Sequence, residues 1–320
     1  MKHWLLTSSR MSPVRHLVWT WSAMRDERAT RKFCSQSGFS SLDVFKTPIL
    51  RSPRGRTLFI LGSGTSINEM SQAQFNYIRE NQSIGINFWF FHDFVPNVFS
   101  FDAGKVEKSD EEHGGQSQRT LATLFNRPEI LDARPSILYL RPHALEANYL
   151  FPVSPELKSR IWVSGRSNLI SRSHSALRKD LRVLLTKLKR RDLPAAILPD
   201  NGSSVVRLIF LAIAQGYRKI VLCGVDLDSR PHFWMGEPYA SNFRKYTSLF
   251  PAPDGRNHGT AEAEGRAAGN RDFISLLAEA MTDADVGKLY CGSPTSKLAS
   301  TLETFRWPGS EPNKSPTQTI

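Results

Sequence analysis

The feature that most constrains this chain is an alternation, over roughly residues 56–307, of short unbroken apolar runs with longer stretches of helical periodicity. The runs are Thr57–Leu61, Ser83–Ile86, Val98–Phe101, Ile137–Leu140, Arg160–Val163, Ala195–Leu198, Lys219–Leu222 and Lys288–Tyr290. Several are apolar at successive positions rather than at every second one, the pattern of strands covered on both faces. Between them, Ser71–Asn81, Ser175–Arg191, Ser204–Gln215 and Asp272–Met281 read as helices. In the second of these, Leu177, Leu181, Leu184, Leu185 and Leu188 share one face, with Arg and Lys opposite. The third is apolar almost all round and is expected to be buried, with Gly216 stopping it. Buried strands alternating with helices imply an α/β fold with a doubly wound, mostly parallel sheet. Such sheets bind ligands beyond the carboxyl ends of their strands. The polar residues just past each apolar run are therefore the candidates for chemistry.

The net charge of +12 invites a nucleic-acid partner, but its distribution argues against one. Residues 1–56 hold 11 basic side chains against Asp26, Glu27 and Asp43, a surplus of +8. The folded part is nearly balanced. Residues 1–55 are expected to be a basic, irregular, disordered extension, 56–307 the catalytic domain, and 308–320 a disordered tail. The run Leu17–Met24 is broken by Trp19, Trp21 and Ser22, a poor signal-peptide core. With no stretch of about 18 apolar residues, no transmembrane segment is expected. The cations of Ser175–Arg191 leave peripheral contact with the inner face of a membrane open, against a solvated face as the plainer reading. Cys34, Cys223 and Cys291 are spaced for neither zinc nor a disulfide framework. Cys223 and Cys291 each end a strand-like run and are expected in the core, which fits a reducing cytoplasmic compartment.

Five polar features are candidates, the first four at strand or helix ends and the last in a polar stretch rich in Gly and Ala. Gly62-Ser63-Gly64-Thr65-Ser66 follows the first strand, where glycines permit a sharp turn and Ser66 could cap an amide-rich helix start. It departs from G-x-G-x-x-G at Ile67 and lacks the Gly-Lys-Ser/Thr of a Walker loop, so it reads as a phosphate cradle or merely a tight turn. Asn87 and Asp102 end the next two strands and suit a base, ribose or sugar, with turn capping as the alternative. Asp200-Asn201-Gly202-Ser203-Ser204 offers small donors at the start of the buried helix. Gly224-Val225-Asp226-Leu227-Asp228, followed by His232, places acids past a buried strand, suited to a sugar hydroxyl. The two-residue spacing of Asp226 and Asp228 suggests a metal pair, but no ligand set accompanies it and no metal is expected. Last, Asn257-His258-Gly259-Thr260 offers His258, a natural general base near neutral pH.

In this order the segments resemble the bacterial sialyltransferases that build lipooligosaccharide, and a broader group of uncharacterised proteins sharing their nucleotide-binding fold, over roughly residues 57–305. The family's Gly-x-Gly-x-Ser turn falls on Gly62–Ser66, with Ser63 where the family has Asn. Its Asn after the second strand falls on Asn87, and Asp102 stands where a donor-contacting Asn is expected. A Ser at the start of the buried helix matches Ser204. The run Lys219–Asp226 after Gly216-Tyr217, and Lys288–Cys291 with Pro294 and Ser296, also match. The resemblance implies a Rossmann-like, glycosyltransferase-type fold and a nucleotide-sugar co-substrate, CMP-linked in the family, with no required cofactor. It implies inverting transfer of a sialic acid or related sugar to a cell-surface glycan acceptor. Its base is a His, for which His258 is the candidate; His258-Gly259-Thr260 is similar to the His-x-Thr of the uncharacterised group. The two tyrosines that hold the departing phosphate in the family fall on Asp228 and Trp234, leaving His232, Arg230 or Arg256 for that task. Two other readings stay open: an ATP-dependent pyrophosphokinase-like enzyme of similar fold with Mg²⁺ on Asp226 and Asp228, and a non-catalytic nucleotide-binding relic.

Overall fold

The apolar runs form strands, and every strand pairing is parallel. The computed structural model describes residues 12–50, 57–102, 127–140, 155–169, 171, 173–228, 230–237, 239 and 267–309. In chain order the elements begin with helix α1 (Ser12–Ser37), strand β1 (Ser40–Ser41), β2 (Thr57–Leu61), α2 (Gln72–Glu80), β3 (Gln82–Ile86) and β4 (Val98–Asp102). There follow α3 (Pro128–Ala133), β5 (Ser136–Leu140), α4 (Pro155–Lys158), β6 (Ile161–Asn168), α5 (His174–Lys189) and β7 (Ile197–Asp200). The last are α6 (Ser204–Ala214), β8 (Lys219–Cys223), α7 (Asn270–Asp283), β9 (Lys288–Cys291) and β10 (Glu303–Thr304). The sheet order is β1-β6-β5-β4-β3-β2-β8-β9-β10, with β7 also beside β6. From β2 the chain builds outward to β3 on one side and later returns to β8 on the other. The switch point therefore lies between β2 and β8, where Leu61 pairs with Cys223. Because the strands are parallel, their carboxyl ends share one edge.

Strand geometry explains why the runs are apolar at every position. Leu58, Ile60, Ile84, Ile86, Val98 and Leu138 join an aliphatic layer with α5, α6 and α7. Alternate residues Phe59, Leu61, Phe99, Phe101 and Ile137 join an aromatic layer with Phe75, Trp89, Phe91 and Trp234. Each fully buried side chain of this size contributes about 1.5–3 kcal/mol. Cys223 and Cys291 lie in these layers as free thiols, and Cys34 is also buried and free.

Residues 12–50 differ from the expected disordered extension. Trp19 and Ala23 of α1 are buried in the aliphatic layer, and Phe33 and Cys34 in the aromatic one. Strand β1 pairs with Trp162 and Val163 of β6, and β7 takes over from Gly165 to Asn168. Each thus fills part of one edge of β6. A buried ion pair fastens α1 to α5: Arg15 Nε donates to Asp180 Oδ2 at 2.9 Å and Nη2 to Oδ1 at 3.2 Å, while Ser171 Oγ donates to the same carboxylate at 2.5 Å. Sequence periodicity hid this helix because its outward face is apolar too: Val14, Leu17, Val18, Trp21 and Met24 are all exposed. Three of the five cations of α5 form ion pairs. Arg178 meets Glu279 at 3.0 Å, Arg182 meets Asp283 at 2.5 Å and Lys189 meets Asp285 at 3.8 Å. Among the described residues, no helix is long and apolar enough to cross a membrane.

Candidate functional site

The turn after β2 is stitched to the turn after β8. Gly62 N–H donates to Cys223 O at 2.7 Å, and Gly64 N–H to Gly224 O at 2.7 Å. Gly224 has φ +64°, a conformation L side chains rarely adopt, and a Cβ there would lie 2.6 Å from Gly62 O. Gly64 is required for a different reason: a Cβ would lie 2.4 Å from Asp226 Oδ2. Asp226 is buried and accepts from Ser66 N–H at 2.9 Å and from Ser66 Oγ at 2.5 Å. Burial pushes its carboxyl above the usual carboxylate value, and the Ser66 bonds and Arg230 pull the other way. Ser66 therefore does not cap an α-helix. Thr65–Glu69 is a 3-10 turn, and the capping box of α2 is made by Ser71 and Gln74. The amides of Gly62, Gly64 and Ser66, expected to face a phosphate, are engaged within the protein.

What the β2 turn presents to its surroundings is Ser63 and its neighbour His232. Ser63 Oγ lies 3.1 Å from His232 Nδ1, and Ser63 O accepts from Phe233 N–H at 3.0 Å. The imidazole stacks on Trp234 at 5.6 Å and touches Phe88 at 5.8 Å, the residue after Asn87. Trp234 is buried in the aromatic layer, so it does not take the place of a phosphate-holding tyrosine by facing a ligand. Asp228 Oδ2 accepts from Arg230 Nε at 2.6 Å, and the same guanidinium lies 3.4 Å from Asp226 and 3.8 Å from Glu69. Arg230 is thus held among three carboxylates.

A second polar group stands at the ends of β3 and β4 and at the start of α6. Asn87 sits in the left-handed region, φ +49°, which Asn tolerates better than most residues. Its Oδ1 accepts from Asp102 N–H at 3.1 Å, and its Nδ2 forms no hydrogen bond with the described residues. Asp102 accepts from Ser204 Oγ at 3.3 Å and pairs with Arg207 Nη2. Burial raises the Asp102 carboxyl above its ordinary value, while Arg207 and Arg166 draw it down. Asp200 Oδ1 accepts from Gly202 N–H at 2.8 Å and Ser203 N–H at 3.0 Å, shaping the loop that launches α6. Ser203 is the N-cap by position, but its side chain makes no capping bond. The first-turn amides of α6 consequently face the same edge as Asp102, a setting that favours anions.

The sequence pointed to Asn87, Asp102 and the Asp200–Ser204 loop but not to Arg207 and Arg166 as their supports. Arg207 could have been found: a charged residue in a helix otherwise apolar all round must have a partner. Arg166 pairs with Asp200 at 3.4 Å. The two groups lie on adjoining strands, Leu61 of β2 being paired with Gly85 of β3, and Phe88 against His232 bridges them. His258 and Arg256 lie outside the described residues. Among the described residues no three His, Cys, Asp or Glu side chains group as metal ligands. His92, below the Asn87 turn, is a scaffold residue: its pKa is lowered to about 3 by burial and by Arg127. Its Nδ1 accepts from Phe94 N–H at 2.9 Å and its ring stacks on Trp89 at 4.5 Å.

No protein-family model matches the chain, and no curated protein matches it. Among solved structures, the sialyltransferase CstII from Campylobacter jejuni in complex with the substrate analogue CMP-3FNeuAc aligns over 80 % of this chain and 88 % of that chain, at 16 % identity and TM-score 0.41. The sialyltransferase CST-II in complex with a trisaccharide acceptor and CMP gives the same identity, coverage and TM-score. Monomeric CstII aligns over 79 % of this chain and 87 % of that chain at 16 % identity and TM-score 0.39.

Proposed function

We propose that this chain is a glycosyltransferase, moving a sugar from a nucleotide-activated donor to the hydroxyl of a glycan acceptor with inversion. One observation carries the reading. Asp102, held by Ser204 and the buried Arg207, meets Asn87 and the start of α6 at the carboxyl edge of a parallel sheet, beside the Gly62–Ser66 turn. There the α6 amides and the Ser203 hydroxyl would take phosphate oxygens, and Asn87 Nδ2 the base or ribose. Asp102 would accept from a hydroxyl of the donor. Ser63 and His232 would donate to the departing phosphate in place of the absent tyrosines. Asp226 would act by fixing the turn that presents Ser63, and Asp228 by holding Arg230. His258 would take the acceptor proton as its oxygen attacks the anomeric carbon. A base supplies about 10²–10⁴-fold, so positioning and phosphate stabilisation must supply the rest. The sequence resemblance supports a CMP-linked sialic acid or a related sugar as donor, and use of an activated nucleotide sugar fits a cytoplasmic location.

The pyrophosphokinase reading is less well supported. The Asp226 and Asp228 carboxylates that it would place on Mg²⁺ are turned to Ser66 and to Arg230. Purified protein incubated with a panel of nucleotide sugars is expected to hydrolyse one of them slowly without acceptor. Turnover of ATP with strict magnesium dependence would establish the rival, and nucleotide binding without turnover of any donor would establish the relic. A His258→Ala protein that keeps full transferase turnover would remove the proposed base and leave the donor site standing.

A further inference from the structure

Helix α1 is apolar on two opposite faces. Inward, Trp19, Ala23, Phe33 and Cys34 are buried. Outward, Val14, Leu17, Val18, Trp21 and Met24 form a stripe in which Leu17 is 71 % and Trp21 66 % exposed. These are five of the seven large hydrophobic side chains exposed among the described residues, so the patch is concentrated on one helix. Further along the same outward face come exposed cations, Arg25, Arg28 and Lys32, with Arg31 at their flank. The Arg25 guanidinium sits over the Trp21 ring at 5.7 Å, where the apolar and basic halves meet. Its ion pair with Asp26 and that of Arg31 with Glu27 are exposed on the arginine side and leave the charged heads accessible. The helix sits in the part of the chain that carries the basic surplus of +8.

A bare stripe of Leu and Trp continued by arginine and lysine matches the boundary between acyl chains and negatively charged headgroups, and this helix does not meet the requirement for spanning a bilayer. We infer that α1 lies flat on an anionic lipid surface, with Leu17 and Trp21 in the headgroup–acyl boundary and Arg28 and Lys32 at lipid phosphates. This differs from the basic face of α5 that the sequence suggested for membrane contact, where Arg178, Arg182 and Lys189 pair with acids on and just after α7. Position adds a consequence. On the inner side of the apolar half, Trp19 Nε1 donates to Ser167 O near the carboxyl end of β6, and Arg15 reaches Asp180. The apolar half therefore lies beside the strand edge that carries the candidate site, and docking would hold that edge near lipid-borne hydroxyls. Membrane docking of this kind does not require the transferase reading to hold.

The test is flotation of the full-length protein with vesicles of phosphatidylcholine alone and with vesicles that also contain phosphatidylglycerol. Binding is expected only to the anionic vesicles and weaker in high salt. Leu17→Gln with Trp21→Gln, and separately Arg28→Glu with Lys32→Glu, are expected to lower partitioning about tenfold or more. Neither pair should alter the thermal melt, because these side chains face outward. Failure to float with anionic vesicles overturns the inference, as does binding that survives both double substitutions. A dimer that Leu17→Gln with Trp21→Gln dissociates, in protein that ignores vesicles, gives the face to a second copy. Oligonucleotide binding that Arg28→Glu with Lys32→Glu abolishes, again without vesicle binding, gives it to nucleic acid; both results overturn the lipid assignment.

Discussion

At the scale of single residues, the candidate site is built on charges that are buried with partners. Asp102 is the carboxylate proposed to meet a ligand, and Arg207, 1 % exposed, is what makes its ionised form tolerable. Asp102→Asn keeps the shape and one acceptor while removing the charge, so kcat/KM for the donor should fall roughly tenfold to a hundredfold, about 1.4–2.7 kcal/mol, and the urea midpoint should fall as well, because the buried Arg207 loses its carboxylate. Equal kcat/KM would remove Asp102 from the site. Because burial raises the Asp102 carboxyl, turnover that needs its anion should be lost at a higher pH than for an ordinary carboxylate. His92 gives a stability test with a definite sign. Its folded pKa of about 3 lies below the usual 6.5, so the folded state binds fewer protons than the unfolded one. The stability it contributes is complete above the ordinary histidine value and fades as pH falls toward the folded value. Between about pH 7 and about pH 4.5 that loss is about 2–3 kcal/mol, and His92→Phe, which keeps the ring on Trp89, should remove this part of the pH slope in paired urea melts. Residue identities were only partly legible. Asn87, Asp102, Ser204 and the Asp200 loop could be named from their place after apolar runs, but nothing local marks Arg166, whose partner Asp200 is brought to it by the pairing of β6 with β7.

At the scale of elements, two contacts between distant segments decide whether the site forms. The first is the stitch between the β2 and β8 turns. Gly64→Ala puts a methyl carbon where Asp226 Oδ2 stands 2.4 Å away, and must displace Asp226 or separate the turns. It should cost about 1–3 kcal/mol and lower donor affinity together with stability; an unperturbed melt would show that this packing is not needed. The second is the attachment of α1 to α5. Removing one partner of the buried Arg15–Asp180 pair leaves an uncompensated charge, so Asp180→Ala should cost about 3–5 kcal/mol and expose α1 to proteolysis first. The longer strands and the helices α2, α5, α6 and α7 were legible because each has one dominant apolar pattern, whereas the short α3 and α4 were not. Helix α1 was not, since an apolar outward stripe cancels the periodicity that marks a buried face, and the two-residue strands β1 and β10 are too short to leave a pattern. The Gly62–Ser66 turn was legible as a special turn but not in its purpose, because only the three-dimensional pairing shows its amides turned toward β8.

At the scale of the whole molecule, parallel pairing does the organising. It gathers the segment ends of β2, β3, β4, β7 and β8 on one edge although they are spread from Gly62 to Asp228 in the chain. The excess positive charge is carried mostly by residues 1–56. The central claim is that this edge holds an activated donor through Asn87, Asp102 and Ser204. The most direct measurement is the thermal shift of the protein with CMP, UDP, GDP and ATP, with and without magnesium, for the native chain and for Asn87→Ala with Ser204→Ala. One nucleotide should stabilise the native protein by about 2.7 kcal/mol at a hundredfold excess over its Kd, without need of magnesium, and the double substitution should abolish that gain. No stabilisation by any of the four, or a gain that the substitutions leave intact, would contradict the claim.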